Sequence, residues 1–312
     1  MDDALLPWML KADWRGDDRA LLILDLDAWP GDVALSPLPP VPVIAMGRAD
    51  HPQARHADIL VEEEGGVTLA QVVAGIEKAP RAAAALVQLL RSLEGLDPVR
   101  AIPLESFAFA MLQGSAEHAG WLAGRTAPAP QPPGSLRVER AGEELRLHID
   151  RPHARNAIDR AMRDALHDAF TLASLDESIR RIALSGEGRC FSMGADLAEF
   201  GATRCPVEAH AIRMTTLPAL PLVRRTARLS VHIQGGCVGS GLELAAFADA
   251  VTASADAWFQ LPEVAMGIIP GFGGCVSIPA RIGRQRAAAL MLSGRRIPAR
   301  LAHQWGLVDR LV

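Results

Sequence analysis

Two glutamates in apolar company are the residues best placed to do chemistry. In "GCVGSGLELAAFAD", residues 236–249, Glu243 stands where a run of small residues joins an apolar helical pattern. Twenty positions on, "LPEVAMGIIPGFGG" carries Glu263 in equally apolar surroundings. Two carboxyl groups can share acid and base work when their environments hold one protonated and the other ionised. The chain has no tyrosine, so proton transfer falls to Glu, Asp, His, Lys or Cys. Taken singly, each acid has an ordinary reading. A Glu early in a helix complements the helix dipole, and a Glu after proline suits a surface turn.

Two loops share one grammar. In "IALSGEGRCFSMGADLAEF" and in "VHIQGGCVGSGLELAAF" a strand runs into a glycine-containing turn and then a helix. A helix start offers N–H groups without intrahelical acceptors at the positive end of the dipole. Two such starts facing one cavity would give a single oxygen two backbone donors, which is an oxyanion hole. Plain strand-to-helix turns would look the same, and neither loop has the spacing of a phosphate cradle.

The elements that must position these groups alternate in type. "LRVERAGEELRLHID" reads as a hairpin about Ala141-Gly142. "NAIDRAMRDALHDAFTLASL" places Ile158, Met162, Leu166 and Phe170 on one helical face, with Asp159 in the first turn. "IRRIALSG", "LSVHIQGG" and "AVTASAD" read as strands, "GLELAAFAD" as a helix, and "ADLAEF" as the start of another. Such alternation predicts an α/β layer fold. "RTAPAPQPPGS", residues 125–135, is a proline-rich linker between residues 1–124 and 136–312. In the first part "ALLILDLD" and "PLPPVPVIAMG" suggest strands. "TLAQVVAGIEKAPRAAAALVQLLRSL" and "IPLESFAFAMLQGSAEHAGWLAGR" suggest helices or helix pairs.

At 312 residues and 49% apolar composition the chain can bury a sizeable core. Its formal charge of −4 argues against a nucleic-acid partner. Cys190, Cys205, Cys237 and Cys275 show no metal spacing and read as reduced, mostly buried thiols. "MDDALLPWML" carries acids where a signal peptide needs bases, and no apolar run reaches the length of a membrane span. A cytoplasmic protein that needs no metal is expected.

Four ordered motifs resemble the crotonase (enoyl-CoA hydratase/isomerase) family. They are "RPHARNAIDRAMRDAL", "GRCFSMGADLAEF", the stretch from "VHIQGGCVGSGLELAAFADA" through "GIIPGFGG", and "IGRQRAAALMLSGRRIPARLAHQWGLVDRLV". Together they run from about Leu136 to Val312. The resemblance implies a spiral of ββα units, with residues 136–312 as catalytic core and residues 1–124 as an N-terminal helix-rich extension. It implies an enoyl-CoA hydratase, an acyl-CoA lyase acting on fatty-acid-type thioesters. The coenzyme A thioester is then the substrate, with no further cofactor, and the chain would assemble as a homo-oligomer, a trimer or hexamer.

Carried over by position, the oxyanion-hole donors are the N–H groups of Ala195 and Ser240. Ser240 departs from the more usual glycine, and Met193 from the usual small residue before Gly194. Glu243 would orient and deprotonate water, and Glu263 would deliver the proton to the α-carbon. Arg155, Asn156 and Ala157, with Asp196 and Leu197, would contact coenzyme A. The histidines, His153 and His232 among them, match no catalytic position. "CPVEAHAIRMTTLPALP", residues 205–221, would line or cover the acyl pocket.

Members of the family continue into further helices past the position of "GLVDRLV". "VVAGIEKAPRAAAALVQLLRSL", "IPLESFAFAMLQGSAEHAGWLAGR" and "ADILVEEEG" resemble that later region. Residues 1–124 are therefore expected to be a degenerate copy of the family's later half, docking lid and assembly helices onto the core. Within the same fold an isomerase or thioester hydrolase is the alternative. A non-catalytic crotonase-like subunit is an alternative of another class.

Overall fold

Alternation of apolar residues builds the largest sheet. The computed structural model describes residues 20–30, 35, 37–61, 66–126, 128–129 and 131–312. The acidic N-terminal stretch, residues 62–65 of "ADILVEEEG" and linker positions 127 and 130 lie outside the described residues. Strands β4 (Ser135–Ala141) and β5 (Glu144–Asp150) form the expected hairpin, turning at Gly142 with φ 61°. Leu145, Leu147 and Ile149 of β5 point into the core, while β4 is an exposed edge. β6 (Arg181–Gly186), β7 (Arg228–Ile233), β9 (Ala250–Ala253) and β12 (Arg310–Leu311) continue the sheet in parallel, in the order β12-β9-β7-β6-β5-β4.

A second, shorter sheet gives the spiral its inner layer. β8 (Gly236–Val238) and β10 (Trp258–Gln260) pair in parallel, and β11 (Ile297–Pro298) pairs antiparallel to β10. Each turn runs from the long sheet to the short one and then into a helix. β7 leads through β8 into α8 (Ser240–Ala245), and β9 through β10 to α9 (Gly274–Ile282). Single bridges Ile158–Ala195 and Ser192–Cys237 extend the inner layer through the earlier turns. Asp159 caps α5 (Arg160–Leu175) by accepting from Met162 N at 2.8 Å, and Met162, Leu166 and Phe170 are buried. Ile158, expected on that helical face, lies before the helix as a bridge residue.

The N-terminal part contains a parallel sheet of β1 (Leu22–Asp25), β2 (Val43–Met46) and β3 (Ile59–Leu60). The first helical stretch splits at Pro80 into α1 (Leu69–Lys78) and α2 (Pro80–Leu93). The second becomes α3 (Pro98–Gln113) and α4 (Ala116–Ala123). Helices α1, α2 and α3 share one hydrophobic core with the rest of the chain, where Val72, Ile76 and Leu86 join Leu147, Leu184 and Phe259. His118 of α4 donates from Nδ1 to Met266 O at 2.9 Å. Glu117 accepts from Arg81 N and Ala82 N at 2.8 and 2.9 Å, capping α2. Asp58 and Arg91 pair with each other, and Arg284 of α10 (Arg284–Ser293) joins Asp58 at 3.3 Å.

All four cysteines are free; Cys237 and Cys275 are buried, Cys190 is half-buried and Cys205 exposed. Among the described residues no helix is long and apolar enough to cross a membrane.

Helices α1 and α10 approach each other closely at Gly75. A Cβ built on Gly75 would fall 1.8 Å from the carbonyl oxygen of Leu292. Gly75→Ala should therefore destabilise the protein by about 1–3 kcal/mol through overpacking. Gly120→Ala, whose Cβ would meet open space in α4, should be neutral or stabilising. Urea midpoints of the two variants check this.

Candidate active site

Backbone contact between two loops creates the site. Ser192 N donates to Gly236 O at 3.2 Å, and Val238 N donates to Ser192 O at 2.9 Å. Glycine is required where the loops touch. Gly194 has φ 86°, and a Cβ there would stand 3.0 Å from Val238 O. Gly239 has φ 50°, and its Cβ would stand 2.6 Å from Glu263 Oε1. Positive φ falls on Gly239 and not on Ser240, so the serine enters α8 with ordinary geometry.

Ala195 and Ser240 follow these glycines. Neither N–H has an acceptor among the described residues. The Ser240 hydroxyl and Glu263 Oε2 are also buried without a partner. All these groups, with Glu243, line one cavity of about 210 Å³. Buried polar groups are normally satisfied. Four unsatisfied groups, three of them on the buried residues Ser240 and Glu263, converge on one cavity and mark a place built to receive polar atoms.

Glu243 is 2% exposed and Glu263 9%. Glu243 Oε2 accepts from Phe272 N at 2.6 Å and Gly274 N at 2.8 Å. Oε1 is left to the cavity. Burial pushes Glu243 up to about 7 against the pull of those two N–H donors. Burial and then the charge of Glu243 push Glu263 well above the ordinary carboxylate range. The two acids are thus graded. Burial favours the protonated form of Glu263, whose Oε2 has no donor, and Glu243 is poised near neutrality.

A second cavity, about 470 Å³, opens beside the first and shares Ala195, Asp196, Phe200 and Glu263 with it. Arg155, Ala157 and Leu197 line it, as do Met193 and His153. Asn156 does not. It is fully buried, its Oδ1 accepting from Arg151 N and its Nδ2 donating to Glu187 O and Cys190 O. Asn156 and Arg155 take left-handed φ of 55° and 54°. The amide of Asn156 therefore holds the shape of the loop that presents Arg155. The helix expected at "ADLAEF" is only a 3-10 turn, Leu197–Glu199. Asp196 caps it through Ala198 N and pairs with Arg151 at 2.7 Å. Gly201, at φ 84°, follows it.

Residues 205–221 form α6 (Pro206–Thr216) and α7 (Ala219–Leu222), and Ala209, Ile212, Arg213 and Leu217 line the smaller cavity. The sequence reading missed three contributors. Phe109 and Gln113 of α3 line that cavity, and Gly271 packs on the Phe109 ring. Glu105, also on α3, is fully buried beside it and accepts from Gly273 N and Cys275 N at 2.7 Å each. As a lone acid in an apolar helix it carries the same signal as Glu243. Arg151, 1% exposed, donates to Pro132 O and Ala157 O and ties the linker to the core.

Residues 144–312 match the model of the enoyl-CoA hydratase/isomerase family. The chain is 35% identical to the 2,3-dehydroadipyl-CoA hydratase of Escherichia coli (strain K12), over 56% of this chain and 68% of that one. It is 33% identical to the cyclohexa-1,5-dienecarbonyl-CoA hydratase of Thauera aromatica, over 56% and 66%. The crystal structure of an enoyl-CoA hydratase from Thermoplasma volcanium GSS1 superposes with a TM-score of 0.52 at 35% identity, covering 57% of this chain and 71% of that one. The chain thus spans about two thirds of the length of these curated relatives.

The raised acids make stability depend on pH. The unfolded chain releases the Glu243 proton near the ordinary value of 4.5, the folded protein only near 7. The folded state binds the extra proton between those values, so the stabilisation is full below 4.5 and is lost as pH rises through 7. Unfolding free energies measured by denaturant between pH 5 and pH 8 should fall with pH, and Glu243→Gln should flatten that slope.

Proposed function

Since the chain belongs to the enoyl-CoA hydratase/isomerase (crotonase) family of enzymes, we propose that it adds water across the 2,3 double bond of an acyl-CoA thioester. The observation that carries this reading is the pair of acceptor-free amides, Ala195 N–H and Ser240 N–H, in one cavity with two buried acids. The larger cavity takes the coenzyme A portion, with Arg155 facing phosphate. The smaller one takes the acyl chain, against Phe109, Ile158, Leu217 and Phe272.

In the reaction, the ionised Glu243 removes a proton from water through Oε1, and the water oxygen bonds to the β-carbon. The π electrons of the double bond shift toward the thioester carbonyl. Its oxygen becomes enolate-like and is held by the two amides. Glu263 transfers its proton to the α-carbon, and the electrons return to give the 3-hydroxyacyl thioester. Proton exchange with solvent restores both acids. The donors act where water is largely excluded, so each is worth more than in solution.

The N-terminal part belongs to the same proposal. Helices α3 and α4 lie outside the matched region, yet α3 walls the acyl cavity and α4 braces Met266. They take the place of the family's later, closing helices. Exposed Phe107, Met111 and Val207 on α3 and α6 support assembly of copies into a homo-oligomer.

Purified protein should bleach the conjugated thioester absorbance of crotonyl-CoA or of a longer 2-enoyl-CoA. The rate should rise through about pH 7 as Glu243 ionises. Glu243→Gln and Glu263→Gln should each lower it by about 10²–10⁴-fold. No bleaching from protein that still binds coenzyme A would point to isomerase or hydrolase chemistry. No bleaching and no binding would favour a non-catalytic subunit.

A further inference from the structure

Four consecutive backbone N–H groups lead into α9, and they alternate between two carboxylates. Phe272 N and Gly274 N donate to Glu243 Oε2 at 2.6 and 2.8 Å. Gly273 N donates to Glu105 Oε1, and Cys275 N to Glu105 Oε2, both at 2.7 Å. The middle of this turn is two glycines. Gly273 has φ 103°, and a Cβ on Gly274 would fall 2.5 Å from Glu243 Cγ. Glycine backbone of this kind is intrinsically permissive and takes its shape from its partners.

We propose that Glu105 is a positioning residue for Glu243: by holding alternate amides of the 272–275 turn with both of its oxygens, it fixes the other two amides against the base. Glu105 does not line either cavity of the site, so it acts through the turn and not on substrate. The proposal rests on the reading of Glu243 as the base.

The neighbourhood of Glu105 is crowded with ionisable groups. It faces Glu243 of α8, Glu263 of the 3-10 turn Glu263–Met266, Arg213 of α6 and Cys275 of α9. Arg213 donates to Ser106 Oγ at 3.0 Å and to Gln113 Oε1 at 3.0 Å, one residue and two turns from Glu105 on the same helix. Burial and then the Glu243 charge push Glu105 up, while its two amide donors and Arg213 pull it down. A carboxylate here could therefore act by charge or by reach, and two substitutions separate these.

Glu105→Gln keeps the length but leaves one of the two amides facing an NH₂ group. Glu105→Asp keeps the charge and both oxygens but is a methylene too short to hold both amides. Action through the turn requires both variants to loosen Phe272 N and Gly274 N from Glu243. Glu243 then loses donors that favour its charged form, and its pKa rises. With crotonyl-CoA, both variants should lose about tenfold or more in kcat with KM changed less than about threefold. In both, the rising limb of the pH–rate profile should move to higher pH. An unmoved limb, or a limb moved to lower pH in Glu105→Gln alone, would overturn the proposal. So would loss of a cooperative thermal melt in both variants, which would make Glu105 a stability residue. If only one variant melts cooperatively, that one decides. Wild-type protein is the control: its inactivity toward crotonyl-CoA would count against the hydratase reading and not against the link between the two glutamates, which the pH dependence of Glu243 titration by difference infrared spectroscopy in Glu105→Asp would still report.

Discussion

Two amides can share one oxygen only if the chains that carry them touch, and here they touch through glycine. Gly194 lies against the Val238 carbonyl and Gly239 against the Glu263 carboxyl group. A side chain at Gly194 would crowd the facing loop, and one at Gly239 would displace the Glu263 carboxyl group. The bridge between Ser192 and Cys237 sets the register of that contact. Ser192 Oγ, donating to Asn156 O, anchors the preceding loop to the same layer. The positions of Ala195, Ser240 and Glu263 all follow from this approach of backbone to backbone.

The second problem is like charge. Glu105, Glu243 and Glu263 are all buried, and desolvation is the largest influence on each. The protein separates them by unequal supply of hydrogen-bond donors. Glu105 receives an amide on each oxygen, Glu243 two amides on one oxygen, and Glu263 Oε2 none. Amide donors pull Glu105 and Glu243 down against burial, while the charge of Glu243 pushes Glu105 and Glu263 further up. The chemistry of the site is therefore written largely in main-chain amides, most of them at the start of one nine-residue helix.

What could be read from sequence was local. The hairpin, the alternating strands and the two glycine turns depend on neighbours within a few residues, and they fold as their patterns indicate. Glu243 and Glu263 stood out because lone acids in apolar runs are rare, and Glu105 carries the same mark. Its partners, however, are amides of Gly273 and Cys275, far along the chain. The structural work of the Asn156 side chain is not legible in the sequence, because its three backbone partners belong to separate segments. The turn after Asp196 stops at Phe200, which is extended and is followed by Gly201 in the left-handed region, and the pairing of Asp196 with Arg151 across the fold is one that no helical periodicity encodes.

Glu105 and the amide of Gly273 are separated by 168 positions. During synthesis α3 emerges well before the turn it grips. Its grip on that turn cannot form until residues 272–275 have left the ribosome. Contacts of such long range slow folding and leave hydrophobic surface open to wrong partners. The order of elements along this chain thus makes the site wait on its most distant partners, and gives protein quality control a window in which the unfinished molecule is recognisable.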